Sequence, residues 1–365
     1  MLVDIIAGAR PNFMKIAPII EQIKIAQTNS KNIEYRLVHT GQHFDKNMSD
    51  SFFEQLRIPK PDVNLGAGGG TQAEQTASIM IGYEKLLMEK KSNLCLVVGD
   101  VTSTMACAIV AQKMHVKVAH VEAGIRSGDW SMPEEINRMV TDSITNYFFT
   151  TSEVANQNLR NNGVSNERIF FVGNTMIDTL LKNKPNFVKP SIWNEAKLEE
   201  KKYFVLTLHR PANVDQEIQL KDLLNQIVIH SKGLPIIFPV HPRTAKILKS
   251  IGIVAENLHL IEPLSYLEFN FLVEKSFAVI TDSGGITEET TVLGIPCMTL
   301  RENTERPETI TIGTNELLGV DSKAIAPAMS KLFSGKWKKG TIPEKWDGKT
   351  AERIVAVLAK MGNLV

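Results

Sequence analysis

The run Val97-Val98-Gly99-Asp100-Val101-Thr102-Ser103-Thr104, followed by a helical stretch and then by VAHVEAGIRSGDWSMPEEINR over residues 118–138, decides how this chain is read. Two apolar segments, Leu94–Val98 and Val116–Val121, have the length and composition of buried strands. A carboxylate follows each: Asp100 just past the first, Glu122 closing the second. A third acid, Glu134, follows Pro133 where a helix begins. In an open parallel sheet, ligands bind outside the carboxyl ends of the strands, so all three acids stand where a substrate would lie. Asp100 is also placed to cap the helix that starts near Thr102, and Glu134 also suits a helix N-terminus opened by proline. Glu122, followed by Gly124 and Arg126, has no such duty. Three acids near strand ends point to acid–base chemistry.

Strand alternates with helix on both sides of this stretch. Leu2–Ala7 is a short apolar strand, Gly8-Ala9-Arg10-Pro11 turns out of it, and Phe13, Ile16, Ile19, Ile20 and Ile23 then recur at helical spacing. A strand, glycine turn and helix carrying Arg10 and Lys15 suggest a phosphate site, although the sequence has neither the GxGxxG fingerprint nor a Walker A loop there. Both residues read equally well as surface charges. Tyr35–His39 is the next strand, and His43 beyond it is placed either to touch a ligand or to make a structural hydrogen bond. Gly66–Gly70 reads as a mobile loop before a helix capped by Thr71. Tyr147–Thr150 and Ile169–Val172 are two more strands. This alternation predicts right-handed βαβ units and a parallel sheet. The polar break Gly173-Asn174-Thr175 and the Lys- and Pro-rich segment 182–202 place a domain switch near 173–180.

The second half repeats the architecture. Tyr203–Leu208 runs into His209-Arg210-Pro211, and Pro235–Val240 into His241-Pro242-Arg243. A histidine beside an arginine at a strand end suits a leaving oxygen and a phosphate, with His209 to orient or protonate the one and Arg210 or Arg243 to pair with the other. Either histidine also reads as a satisfied loop-edge residue. Phe277–Thr281 leads into Asp282-Ser283-Gly284-Gly285 and a helix bearing Glu288 and Glu289, the strongest local motif in the chain. Small residues there let helix N-terminal amides approach a diphosphate, and a carboxylate one turn further in suits ribose hydroxyls. The other reading is a tight turn that needs two glycines. Cys297–Leu300 is a further strand, followed by a charged loop over Arg301–Glu308. After Asp321 a surface helix is expected, then a solvated connection over Gly335–Asp347. A last helix, about 349–361, carries Ile354, Val355, Val357 and Leu358 and is placed to pack across the first domain.

Whole-chain properties set the frame. At 365 residues, two domains are expected. Lys plus Arg is 41 and Asp plus Glu is 40, so no net charge argues for nucleic acid or membrane binding. Cys95, Cys107 and Cys297 have no CxxC spacing and read as small core residues in a reduced compartment. No apolar run approaches the ~20 residues of a membrane span, and no basic segment leads an apolar signal core. The expectation is a cytoplasmic enzyme or binding protein.

The motifs form an ordered set: GARPNFMKIAP at 8–18, HTGQH at 39–43, GDVTST at 99–104, HVEAGIRSGDWSMPEEINR at 120–138, VGNTMID at 172–178, LHRPANVD at 208–215, PVHPRT at 239–244, TDSGGITEE at 281–289 and RENTERPETI at 301–310. In that order and spacing the chain resembles the non-hydrolysing UDP-N-acetylglucosamine 2-epimerases over nearly its whole length. The resemblance implies an α/β fold of GT-B architecture, two Rossmann-like domains with parallel sheets facing a deep cleft. The expected division is 1–174, 175–347 and a returning C-terminal helix over 348–365. It implies interconversion of UDP-N-acetylglucosamine (UDP-GlcNAc) and UDP-N-acetylmannosamine (UDP-ManNAc) through elimination of UDP to a 2-acetamidoglucal and its re-addition, for cell-surface polysaccharide precursors. No cofactor and no metal are implied. The family's catalytic acids fall on Asp100, Glu122 and Glu134 and its cleft histidine on His209. Its UDP contacts fall on Arg10, Phe269, Ser283, Gly284, Gly285 and Glu289, while Lys15, His241 and Arg306 match positions lining the same cleft. The expected partners are the UDP-sugar and a second copy in a homodimer, with no nucleic acid or membrane.

Two stretches depart from the bacterial pattern. Gln42-His43-Phe44-Asp45 stands where many bacterial members read QHRQ or QHRE, a motif that goes with a second, activating substrate site. FFEQLRIPKPD at 52–62 resembles epimerases acting on UDP-2,3-diacetamido-2,3-dideoxyglucuronate, while TERPE at 304–308 favours UDP-GlcNAc. A GT-B glycosyltransferase would share the fold, but three clustered acids would then lack a task.

Overall fold

Every strand pair among the described residues is parallel. The computed structural model describes residues 1–29, 32–41, 58–240, 242–253 and 255–362. The chain divides into two compact units, Met1–Lys182 with Glu344–Val365, and Asn183–Pro343.

In the first unit the strands are β1 (Leu2–Ala7), β2 (Glu34–His39), β3 (Val63–Asn64), β4 (Leu94–Val98), β5 (Lys117–Val121), β6 (Tyr147–Thr150) and β7 (Ile169–Phe171). Their order across the sheet is β3-β2-β1-β4-β5-β6-β7. The order reverses between β1 and β4, the switch point at which doubly wound sheets bind ligands. Both faces of the sheet are covered, as a parallel sheet requires. Ile6, Val38, Cys95, Val97 and Val118 pack with Ile79, Tyr83, Ala106, Cys107 and Ala111 from the helices Gln72–Glu89 and Thr102–Lys113. The helix Arg10–Thr28 buries Phe13, Ile16, Ile19, Ile20 and Ile23, as its spacing predicts, and the helix Thr350–Gly362 packs against it. Thr71 caps Gln72–Glu89 through a capping box with Glu74.

In the second unit the strands are β8 (Phe204–Thr207), β9 (Ile236–Pro239), β10 (Leu258–Ile261), β11 (Ala278–Thr281), β12 (Cys297–Thr299) and β13 (Asn315–Leu317). They are ordered β10-β9-β8-β11-β12-β13, with the switch between β8 and β11. Alternate residues again face two cores. Phe204, Leu206, Phe238 and Ile280 pack with Leu220, Leu223 and Leu224 of the helix Glu217–His230, while Tyr203, Val205, Ile237 and Val279 pack with Leu272 and Val273 of Tyr266–Lys275.

One expectation about the second half holds and one does not. The helix after Asp321, Ile325–Phe333, lies at the surface with one face buried: Ile325, Ala328, Met329 and Leu332 enter the second unit's core, while Pro327, Ser330 and Lys331 are exposed. Gly335–Asp347, expected as a solvated connection, is instead anchored at two points. Trp337 donates its Nε1 hydrogen to the Thr314 carbonyl at 2.8 Å and Trp346 to the Thr151 carbonyl at 3.0 Å, and both rings are buried. A buried indole is tolerated because its single donor finds an acceptor. All three cysteines are free and buried.

Candidate functional site

Asp100 and Glu122 follow the neighbouring strands β4 and β5 beside the reversal of the first sheet, since Val97 and Val98 of β4 pair with His120 and Val121 of β5. Asp100 is not the helix cap. That position belongs to Val101, which makes no side-chain capping bond. Instead Arg138, on the helix Pro133–Ile144, donates from Nη1 to Asp100 Oδ2 at 2.5 Å. Glu122 is 3% exposed and accepts a hydrogen bond from Lys15 Nζ at 2.8 Å. Its φ of +70° lies in the left-handed region, which costs a non-glycine residue about 1–3 kcal/mol and gathers at functional sites. Glu134 occupies the exposed first turn of Pro133–Ile144.

Lys15 therefore serves a carboxylate in this unit. The amides of Gly8 and Ala9, which a phosphate loop would present, both donate to Asn12 Oδ1, at 3.1 and 2.9 Å. The side chains of Arg10 and Arg243, and the whole of Gln42–Asp45, His43 included, and of His241, lie outside the described residues, as do 52–57 of the FFEQLRIPKPD stretch.

Around these acids lies a buried polar network that the sequence reading did not assign. His120 bonds Asp142 Oδ1 through Nδ1 at 2.7 Å and the Gly99 carbonyl through Nε2 at 2.8 Å. Asp142 also accepts from the Gly124 amide at 3.0 Å and from Arg126 Nη1 at 2.6 Å. Burial pushes the Asp142 carboxyl up, but its bonds to His120 and Arg126 prevail and hold it below the usual range. Glu135 accepts from the amides of Ser127 and Gly128 and from Arg138 Nε, which likewise outweigh its burial. The one signal for this network in the sequence is the i,i+3 pairing of Glu135 with Arg138.

The second unit's switch point carries the other group. Asp282, fully buried at the end of β11, accepts from the backbone amides of His209 and Arg210 and from Asn213 Nδ2 at 3.0 Å. Its Oδ1 lies 2.8 Å from His209 Nδ1. Burial alone would raise the Asp282 carboxyl, and these donors hold it low instead. The histidine ring is 59% exposed, so the carboxylate fixes Nδ1 and leaves Nε2 on the outer side. The partnership of Asp282 with His209 is not assigned from the sequence; the position of Asp282, directly after a strand and before Ser-Gly-Gly, was the available signal.

Ser283 is the N-cap of the helix Gly284–Leu293 and makes no side-chain capping bond. Gly284 has no left-handed φ. A Cβ there would meet only Arg301 Nη1 at 3.7 Å and Glu305 Oε2 at 3.9 Å, ordinary contacts. The turn does not need this glycine for its own conformation. What the glycine leaves is open access to amides at the positive end of a helix, a ready anion site. One turn on, Glu289 is buried and accepts from Tyr266 Oη at 2.8 Å. Burial pushes it up to about 7 despite that bond, with the neighbouring Glu288 adding to the rise. Arg306 donates from Nε to Glu288. Phe269 lies half-buried on Tyr266–Lys275.

Glu308 is buried, and among the described residues no other residue donates a hydrogen bond to its carboxylate. Burial pushes it up to about 7 against the pull of Arg306. A carboxyl raised from 4.5 to about 7 gives stability that is complete below about pH 4.5 and lost as pH rises through 7. Glu308→Gln is therefore expected to lose less thermal stability than the wild type between about pH 5 and about pH 8. Equal losses in the two proteins would contradict this account of Glu308.

Among the described residues no group of three His, Cys, Asp or Glu side chains is arranged to hold a metal ion, and no helix is long and apolar enough to cross a membrane.

A family model described as UDP-N-acetylglucosamine 2-epimerase matches residues 25–359. The chain is 40% identical over 371 residues to the UDP-N-acetylglucosamine 2-epimerase of Methanocaldococcus jannaschii, covering 98% of this chain and 99% of that one. It is 39% identical over 362 residues to the UDP-2,3-diacetamido-2,3-dideoxy-D-glucuronate 2-epimerase of Pseudomonas aeruginosa, covering 98% and 99%. The crystal structure of the M. jannaschii enzyme with UDP-GlcNAc and UDP is similar with a TM-score of 0.86 at 40% identity, over 99% of this chain and 100% of that one.

Proposed function

Because this chain belongs to the UDP-N-acetylglucosamine 2-epimerase family, we propose that it interconverts UDP-GlcNAc and UDP-ManNAc. A carboxylate of the first unit takes the C2 proton, the C1–O bond breaks with its electron pair going to UDP, and C1=C2 forms. UDP then returns to C1 while C2 is protonated on its other face. Asp100, Glu122 and Glu134 serve the sugar. The amides of Ser283, Gly284 and Gly285 take the diphosphate, Glu289 takes ribose hydroxyls, and His209, set by Asp282, assists the leaving oxygen. Arg10, Lys15, His241, Phe269 and Arg306 complete the contacts. The observation that carries this reading is the pair of carboxylates following adjacent parallel strands beside a switch point, each with a basic side chain on one oxygen. Such groups contribute ~10²–10⁴-fold to proton transfer.

Incubation with UDP-GlcNAc and no acceptor tests it. UDP-ManNAc appearing in the NMR spectrum without stoichiometric free UDP supports an epimerase, and an absolute need for an acceptor points to a transferase. The likeness to the P. aeruginosa protein favours one second reading, with UDP-2,3-diacetamido-2,3-dideoxyglucuronate as substrate; competition between the two sugars decides it. A cytoplasmic homodimer is part of the proposal, supported by the family resemblance, and light scattering at twice the chain mass is the expected result.

A further inference from the structure

The helix Pro133–Ile144 does more than carry Glu134. Two consecutive residues on it, Asn137 and Arg138, hold both polar ends of Asp100. Asn137 Nδ2 donates to the Asp100 carbonyl at 2.8 Å, and Arg138 Nη1 donates to its Oδ2 at 2.5 Å. The Arg138 side chain is 2% exposed, and its Nε is taken by Glu135 Oε2 at 2.9 Å. From the same helix, Glu135 and Asp142 fasten the segment that follows Glu122, through the amides of Ser127, Gly128 and Gly124. One rigid element thus carries one acid and braces the chain around the other two.

We infer that Arg138 is a positioning residue for epimerisation. It fixes Asp100 so that Oδ2 is occupied by the guanidinium and Oδ1 is presented to the sugar. Lysine cannot replace it, because one ammonium lacks the planar fork that spans Asp100 and Glu135 together. The inference rests on Asp100 acting at the sugar, as proposed above. Misplacing a reacting group by ~1 Å costs about 10²-fold in rate.

The test compares wild type, D100N, R138K and the double variant R138M/E135Q by steady-state kinetics with UDP-GlcNAc and by calorimetry with UDP. The double variant removes Arg138 together with its buried partner Glu135, so no unpaired charge is left at Glu135, and the Asp100 carboxylate that loses the guanidinium is 31% exposed; if it does not fold, R138K decides. Expected for both Arg138 variants is a kcat ~10²-fold below wild type, with KM and UDP affinity unchanged. Added guanidinium ion should restore a share of the rate of the double variant, which loss of general stability would not allow. Wild-type kcat in folded R138K and R138M/E135Q, with D100N inactive, overturns the role of Arg138 and leaves the proposed function standing. Wild-type turnover in D100N removes Asp100 from the chemistry and with it the role of Arg138, whereas wild-type protein that leaves UDP-GlcNAc unchanged overturns the proposed function itself.

Discussion

Glu122→Gln is expected to lower kcat for UDP-GlcNAc by ~10²- to 10⁴-fold, the range that a positioned acid–base group supplies, and to leave UDP affinity unchanged. The side chain is buried, ends a strand beside the switch point and receives Lys15 at 2.8 Å. It does so from a left-handed backbone, φ +70°, that glycine or asparagine would adopt at lower cost. A carboxylate kept there at that cost fits the proposed acid–base role. Glutamine preserves the shape and an oxygen for the Lys15 ammonium but accepts no proton at neutral pH. A folded variant whose kcat stays within a few-fold of wild type would remove Glu122 from the mechanism. Diminished UDP affinity with unchanged kcat would move it to a binding role.

Gly124→Ala is expected to destabilise the protein by about 3 kcal/mol, combining a left-handed backbone with overpacking. Gly124 has φ +78°, and a Cβ there would lie 2.4 Å from the Ala155 carbonyl oxygen and 2.9 Å from Leu159 Cγ. The first of these is helix backbone and cannot swing aside. The alanine would also push the Gly124 amide off Asp142, which it meets at 3.0 Å, and so loosen the turn that follows Glu122. Urea unfolding measures the stability, and kcat is expected to fall with it even in the fraction that stays folded. A stability change below about 1 kcal/mol would show that the turn relaxes far more easily than close packing allows.

The interior strands were legible because each is a short apolar run bounded by polar or glycine residues. Of the four outermost, Ile169–Phe171 was legible in the same way and the other three were not. Val63–Asn64 and Asn315–Leu317 are too short to show a pattern, and His259 interrupts Leu258–Ile261. Burial of Ile325–Phe333 and of both tryptophans after it depends on surfaces supplied from elsewhere in the sequence, including carbonyl acceptors at Thr314 and Thr151. A Lys-, Gly- and Pro-rich stretch carries no local trace of that. At the site, the acids themselves were legible as polar residues at the ends of apolar strands. Their partners were not, because Lys15 and Glu122 are 107 positions apart and Asp100 and Arg138 are 38 apart. No periodicity within one element connects such pairs. The glycines after Asp282 show the converse. Local sequence left a tight turn and an anion site both open; the absence of a left-handed φ or close contact at Gly284 shows that its own backbone does not demand glycine, which supports the proposed diphosphate contact.

The central claim is that epimerisation passes through loss of the C2 proton to a protein carboxylate that exchanges with solvent. Proton NMR of UDP-GlcNAc incubated with the protein in D₂O tests this directly. The account predicts a growing UDP-ManNAc signal with deuterium at C2 of both epimers. UDP-ManNAc formed with its C2 proton retained would contradict it.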